Sequence, residues 1–256
     1  MAEPFDVRIE VLAAEGRVLP AFAWIGWRWI SRNPIAAAVP ILLPFFFLFF
    51  LRLIAPPEYF PLQVAGAMLF TIQNIGSWCL SDSAYWRIEQ RLQDLFVASP
   101  LGKIRYLFGV AFSNLIPAAP ALVVLAVLLA WVTPVTLAGW AVLLAALVVL
   151  WILFSAIGIA ISSRLRSQRE VWPVGNLIFT LLGILSPLYY PITILPDAWQ
   201  GAARFLPATY AALLVQGALG LRPAGLEEIA LDAALLLGSA LLGIVLALAL
   251  YQWRER

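Results

Sequence analysis

Histidine is missing from all 256 residues, and cysteine occurs once, at Cys79. The first absence removes histidine metal sites, haem axial histidines and histidine general bases together. The second leaves no internal disulfide and no cysteine metal cluster. Cys79 lies in an apolar stretch and reads as a small packing residue. Charge is scarce too: 12% of residues are charged, against about a quarter in ordinary soluble domains. The net charge of +2 supplies no basic field of the kind that nucleic acid demands. What fills the space is apolar. Hydrophobic residues make up 63%, against roughly 45–50% in soluble chains, and the mean hydropathy is +0.94. These figures exclude a soluble globular, disordered or collagen-like chain. They predict an all-α, polytopic membrane protein of about six spans, whose lipid-facing surface is as apolar as its interior.

The spans can be read as gaps between charges. Between Arg32 and Arg52 lie 19 uncharged residues, about 28 Å of helix, close to the thickness of a bilayer core. Between Glu58 and Asp82 lie 23, between Glu170 and Asp197 lie 26, and between Asp232 and Arg254 lie 21. The 58 uncharged residues between Arg105 and Arg164 are too many for one span, and the sequence WVTP at 131–134 splits them into helices near 106–130 and 136–161. Six spans result. With the N-terminus in the cytoplasm, 13 of the 16 basic residues fall inside, and Arg52, Arg204 and Arg222 fall outside. The bias obeys the positive-inside rule with both termini cytoplasmic, in a multi-pass protein of the cell membrane.

Residues 1–33 form a cytoplasmic, interfacial segment ahead of a membrane domain over 34–256. The first 33 residues carry four acids and four arginines and no signal-peptide pattern. Trp24, Trp27 and Trp29 beside Arg28 and Arg32 suit the headgroup layer. Of the outer connections, 189–220 is too apolar for a free loop and too broken by prolines for a span. It fits a re-entrant pair of short helices, since backbone at that depth must be covered by protein.

A phosphate-binding loop requires Lys-Ser/Thr after a spaced glycine pair. Here Gly102-Lys103 is followed by Ile104, and no glycine stands five residues earlier, so any use of ATP is expected on another polypeptide. Ion-driven carriers hold acids within their spans. Asp82, Glu170 and Asp232 lie only at span ends. The polar residues left at depth are Gln73, Asn74, Asn114 and Asn176, each either lining a pathway or bonding across helices; the pair Gln73–Asn74 is the best pathway candidate. On the cytoplasmic side, 84–98 (AYWRIEQRLQDLFVA) places Tyr85, Ile88, Leu92 and Leu95 on one helical stripe and Arg87, Gln90, Arg91 and Asp94 on the other. Ser99-Pro100 and Gly102 end it. It is either a lipid-surface anchor or a docking helix; Glu89 and Asp94 count against lipid alone, because the inner leaflet is anionic.

Two segments resemble the ABC-2 type transporter permease family, which includes drug, lipid and polysaccharide exporters. One is RIEQRLQDLFVASPLGKIRYLFG (87–109), where Leu92, Leu95, Ser99, Pro100 and Gly109 match, while Arg91, Gln93 and Asp94 depart from the family pattern. The other is LSPLYYPITILPDAWQGAARFLPATYA (185–211), where Tyr189, Tyr190, Pro191, Leu195, Pro196, Trp199, Pro207, Thr209 and Tyr210 match. The resemblance implies a permease that is not itself an enzyme and carries no cofactor. ATP and Mg would be bound by a separate ATP-binding subunit, present in two copies beside two permease chains, expected as a homodimer. It implies that 84–98 is a coupling helix, with Arg87, Glu89, Arg91, Asp94, Ser99 and Pro100 at the docking surface. It also implies that Tyr189, Tyr190, Pro191 and Pro196 belong to an outer gate. A drug, lipid or other amphipathic cargo fits better than a polysaccharide, whose permeases carry a different N-terminal signature. The competing readings are an ion-coupled carrier or channel and, more remotely, a lipid-modifying membrane enzyme built on Asp82, Glu89 and Asp94.

Overall fold

A computed structural model describes residues 18–90, 93 and 102–251. Among these, the chain forms nine α-helices and two 3-10 turns, with no strand. The helices are α1 (Val18–Arg32), α2 (Pro34–Ile54), α3 (Phe60–Ile88), α4 (Lys103–Val132), α5 (Leu137–Ser162), α6 (Gln168–Leu185), α7 (Asp197–Ala203), α8 (Pro207–Ala218) and α9 (Leu226–Leu250). Six of them, α2 to α6 and α9, have 18 residues or more, and each overlaps one of the six expected spans. Among the described residues, α4, α5 and α9 are long and apolar enough to cross a membrane by length and composition.

Local chemistry sets the breaks. Asn33 separates α1 from α2 because Pro34, at the first position of α2, disfavours helical backbone in the residue before it. The WVTP break falls where expected: α4 stops at Val132, and the Thr136 side chain caps α5 by accepting from the Gly139 amide at 3.0 Å. Helix α6 is shorter than the uncharged interval that contains it. It ends at Leu185, because Ser186 precedes Pro187 and turns extended.

Helix α3 is the centre of the bundle, packing against α4, α5, α6, α2 and α8. Residues on all its faces are buried, from Leu62 to Trp86. That position explains its polar content: Gln63, Thr71 and Gln73 are buried against protein, not lipid. Helix α3 also crosses α5 at backbone contact. A Cβ on Gly158 would overlap the Gly76 carbonyl, and one on Gly76 would meet Phe179 and the Phe154 carbonyl. Small residues let membrane helices approach this closely. Helix α4 carries two internal prolines, Pro117 and Pro120. Pro117 cannot donate to the Ser113 carbonyl, and Gly26 of α1 approaches that oxygen so closely that a side chain there would overlap it.

Helix α1 lies along α4, burying Ala21 and Phe22; Phe22 packs against Trp86 and Tyr106. Trp27 and Trp29 point outward, 57% and 43% exposed. Helix α2 exposes Phe46, Phe47, Phe49 and Phe50, among others.

Candidate functional site

The six long helices run alternately between two ends of the bundle. One end gathers the α3–α4 connection, the short α5–α6 turn and the close of α9. Helix α3 runs on through 84–88, so the first residues of the expected 84–98 helix continue a span. The chain then turns at Glu89 and Gln90, whose backbone amides bond to the Tyr85 carbonyl. The periodicity of 84–98 is continuous across that turn, which is why it reads as one element. Tyr85 and Glu89 are exposed. Arg91, Asp94, Ser99 and Pro100 lie outside the described residues.

Arg87 is engaged within the chain. Its Nη2 donates to the Ser162 carbonyl at 2.8 Å and to the Leu165 carbonyl. The last carbonyls of an α-helix have no intrahelical donor and carry partial negative charge, so a cation there is stabilising. Alongside, Ser162 Oγ donates to Ser83 Oγ at 3.0 Å, joining α5 to α3 a second time. Lys103, at the start of α4, mirrors Arg87: its Nζ donates to the carbonyls of Leu248 at 2.6 Å and Tyr251 at 2.9 Å, at the end of α9. Tyr251 in turn donates from its hydroxyl to Gln93 Oε1 at 3.0 Å. Burial raises the Tyr251 phenol above its ordinary value, which keeps that proton in place. Ser163 Oγ donates to the Ala160 carbonyl at 2.7 Å and lies 3.3 Å from the Leu250 carbonyl, where α5 and α9 end side by side.

At the opposite end, the segment after α6 is seated on α3. A Cβ on Gly66 would overlap the Leu188 carbonyl, so glycine makes the seat. Tyr189 is buried, its ring against Phe47 (4.7 Å between centroids) and Phe70 (5.8 Å), while its hydroxyl has no hydrogen-bond partner among the described residues. Tyr190 donates to the Ile184 carbonyl at 3.2 Å. Pro191 and Pro196 stand immediately before the second 3-10 turn and before α7. Gln216 of α8 donates to the Pro187 carbonyl at 3.2 Å. The structure therefore brings Tyr189, Tyr190, Pro191 and Pro196 together on one strap, with α7 and α8 beyond it as two short helices.

The polar residues at depth divide. Gln73 is fully buried and donates to the Phe179 carbonyl of α6 at 3.1 Å. Asn74, half-buried, and Asn114 donate to carbonyls four residues earlier in their own helices, Phe70 at 3.0 Å and Val110 at 3.1 Å. Asn176 lies on α6.

The family model described as "ABC-2 type transporter" matches residues 18–219. The chain belongs to the ABC-2 type transporter family. No curated protein matches it. The match covers α1 through α8 and so includes both ends of the bundle. As a member of this family the chain is the membrane permease component of an ABC transporter, which is not itself an enzyme.

The ABC-2 membership gives the Pro-x-Thr-Tyr segment at 207–210 a physical reading. Pro207 is the first residue of α8, where its missing N–H is harmless. Thr209 Oγ1 donates to the Ala203 carbonyl at 2.6 Å, and the Tyr210 hydroxyl donates to the Arg204 carbonyl. Both partners lie six residues upstream, at the end of α7, so the two hydroxyls clasp the α7–α8 corner. Sequence reasoning left three further features unseen. One is Lys103 as a helix-end clamp. The second is the Gly76–Gly158 crossing. The third is Arg222, which reaches Glu228 at 3.1 Å, Asp232 at 2.7 Å and the Leu213 carbonyl at 3.2 Å, and so pins α8 to α9. Only the last had a sequence signal, a basic residue close to two acids.

Proposed function

We propose that this chain is the six-span permease of an ATP-driven exporter in the cell membrane, with both termini in the cytoplasm. Two copies would form the transport path, each carrying a separate ATP-binding subunit that holds ATP and Mg. The cargo class is a drug, lipid or other amphipathic small molecule. The observation that carries this reading is the end of the bundle where the 89–102 connection begins. Arg87, Lys103, Arg105, Arg164, Arg166 and Arg169 gather there, matching a cytoplasmic face, and Glu89 stands exposed beside the turn as a contact for a partner. The 84–98 region is the docking element, with Glu89, Arg91 and Asp94 as its charged contacts and Ser99-Pro100 as its exit. The strap bearing Tyr189, Tyr190, Pro191 and Pro196 closes the outer end. Gln73, Asn74, Asn114 and Asn176 are the candidates for the cargo path. Asn74, only half-buried, is the member whose amide is best placed to meet cargo.

An external ATPase can drive such a chain only if nucleotide closure binds one permease state better than the other. The test is reconstitution. Expressed together with its cognate phosphate-loop ATPase, the chain should co-purify as a complex that hydrolyses ATP, whereas the permease alone should not. Glu89→Lys with Asp94→Lys should weaken that complex at least tenfold. Cargo movement by vesicles containing the permease without any ATPase would refute the proposal and favour an ion-coupled carrier. Arg87 is a poor probe of docking, because replacing it also breaks the bonds to Ser162 and Leu165.

A further inference from the structure

The α3–α4 connection joins two helices covalently, but its flanks hold two others. Arg87, in the last turn of α3, grips the carbonyls of Ser162 and Leu165 at the end of α5. Lys103, at the first residue of α4, grips the carbonyls of Leu248 and Tyr251 at the end of α9. Within the connection, Gln93 is buried and accepts from the Tyr251 hydroxyl. The ends of α5 and α9 lie side by side, with Ser163 Oγ 3.3 Å from the Leu250 carbonyl. Each clamp is a cation donating to helix-terminal carbonyls, the geometry in which charge and the helix dipole reinforce one another. Lysine and arginine differ in use here. Arg87 spans two carbonyls three residues apart with one planar group, while the Lys103 ammonium is a compact charge sitting between two oxygens.

We infer that a displacement of the 89–102 connection drives α5 and α9 directly, through the Arg87 and Lys103 clamps and the Gln93–Tyr251 bond, as well as moving α3 and α4. Lys103, Gln93 and Tyr251 are then positioning residues for the transport cycle. The inference rests on the permease reading above, in which the force arrives at this connection. It adds which helices receive that force. Helix α9 matters most: like α5 it has neither end joined covalently to the connection, and its main packing partners are α5 and α8, whereas α5 packs directly on α3. Without the clamp it would follow only by sliding against α5 and α8, on which it packs.

The experiment uses the permease–ATPase complex in lipid vesicles. Cys79→Ala removes the one cysteine, and spin labels are placed at two exposed sites at the far end, Trp131 on α4 and Leu226 on α9. In the otherwise native complex, ATP with vanadate should shift the label-to-label distance. Lys103→Met combined with Tyr251→Phe should at least halve that shift, while the ATPase still co-purifies and hydrolyses ATP. Tyr251→Phe alone, which keeps the ring and removes only the hydroxyl, should give a smaller loss and covers the case in which the double variant does not fold. Lys103→Arg should retain most of the shift. A native-sized shift in both Lys103→Met/Tyr251→Phe and Tyr251→Phe overturns the inference, as does a native complex with no shift at all. Failure of the otherwise native chain to bind any ATPase would instead sink the permease reading beneath it.

Discussion

At the scale of single residues, many of the buried hydroxyls and amides, among them Thr71, Gln73, Asn114 and Thr209, donate to backbone carbonyls. Thr209 shows what this contributes. Its hydroxyl is fully buried and donates to Ala203, so Thr209→Val, nearly isosteric, removes one buried hydrogen bond and leaves the Ala203 carbonyl with the Leu206 amide as its donor. A loss of about 1–2 kcal/mol follows, visible as a lower thermal midpoint in detergent. Tyr210→Phe should lose less, because that bond is exposed. Equal losses from the two variants would show that the α7–α8 corner is held by something other than the buried member of the clasp. Arg222 offers a second contrast. Its partner Asp232 has a side chain 10% exposed, whereas Glu228 is 62% exposed. Exposed ion pairs contribute little, while stripping the cation from a nearly buried carboxylate is costly. Arg222→Met should therefore destabilise by more than 2 kcal/mol and Glu228→Gln by less than about 1 kcal/mol, as read by denaturation in detergent.

Among elements, the crossing of α3 and α5 is the tightest joint. Gly158→Ala places a methyl group into the Gly76 carbonyl, and the helices must separate. About 1–3 kcal/mol of destabilisation is expected from such overpacking. Gly201→Ala, in α7 with nothing near the added carbon, should be neutral or slightly stabilising, since alanine favours helix over glycine. The pair separates a packing effect from a propensity effect in one melting experiment. This is also where the sequence stops being informative. The split of 106–161 into two helices was legible because Pro134 and the capping Thr136 act locally. The reach of Arg87 to α5 was not, because its acceptors are backbone carbonyls that every residue possesses. The crossing itself is made by Gly158 against Gly76, and in a stretch rich in small residues nothing in the order of the chain singles Gly158 out. Composition marks where helices can approach closely, and only packing selects the residue that does. On the outer strap, the aromatic-proline motif was plain, but the Gly66 seat beneath it was not, since a single glycine in a helix has many ordinary uses.

Over the whole molecule, the two ends differ in charge and in construction. One carries most of the basic residues and the clamped helix ends; the other carries Arg52, Arg204 and Arg222 with the glycine-seated strap. The orientation proposed from this asymmetry has a direct check. In a Cys79→Ala background, Gly201→Cys should react with a membrane-impermeant maleimide in intact cells, and Gln90→Cys only after permeabilisation. The reverse pattern would invert the topology and place the docking surface on the wrong side of the membrane for any ATPase. Fold class and the WVTP break were readable from the order of residues, because lipid and proline each place a local requirement on a stretch of chain. The clamps and seats arise between segments up to about 150 positions apart, as Lys103 and Tyr251 show, and nothing local announces them.

The Lys103 clamp also bears on how far the end of the chain can be altered. The carbonyl of Tyr251 is one of its two acceptors, so the close of α9 is a fixed post. A tag or reporter fused beyond it, through a flexible linker, can hang there harmlessly. Trimming the chain back through Tyr251 would instead leave the Leu248 carbonyl as the remaining acceptor for Lys103, so a single bond would hold α9 where two did before.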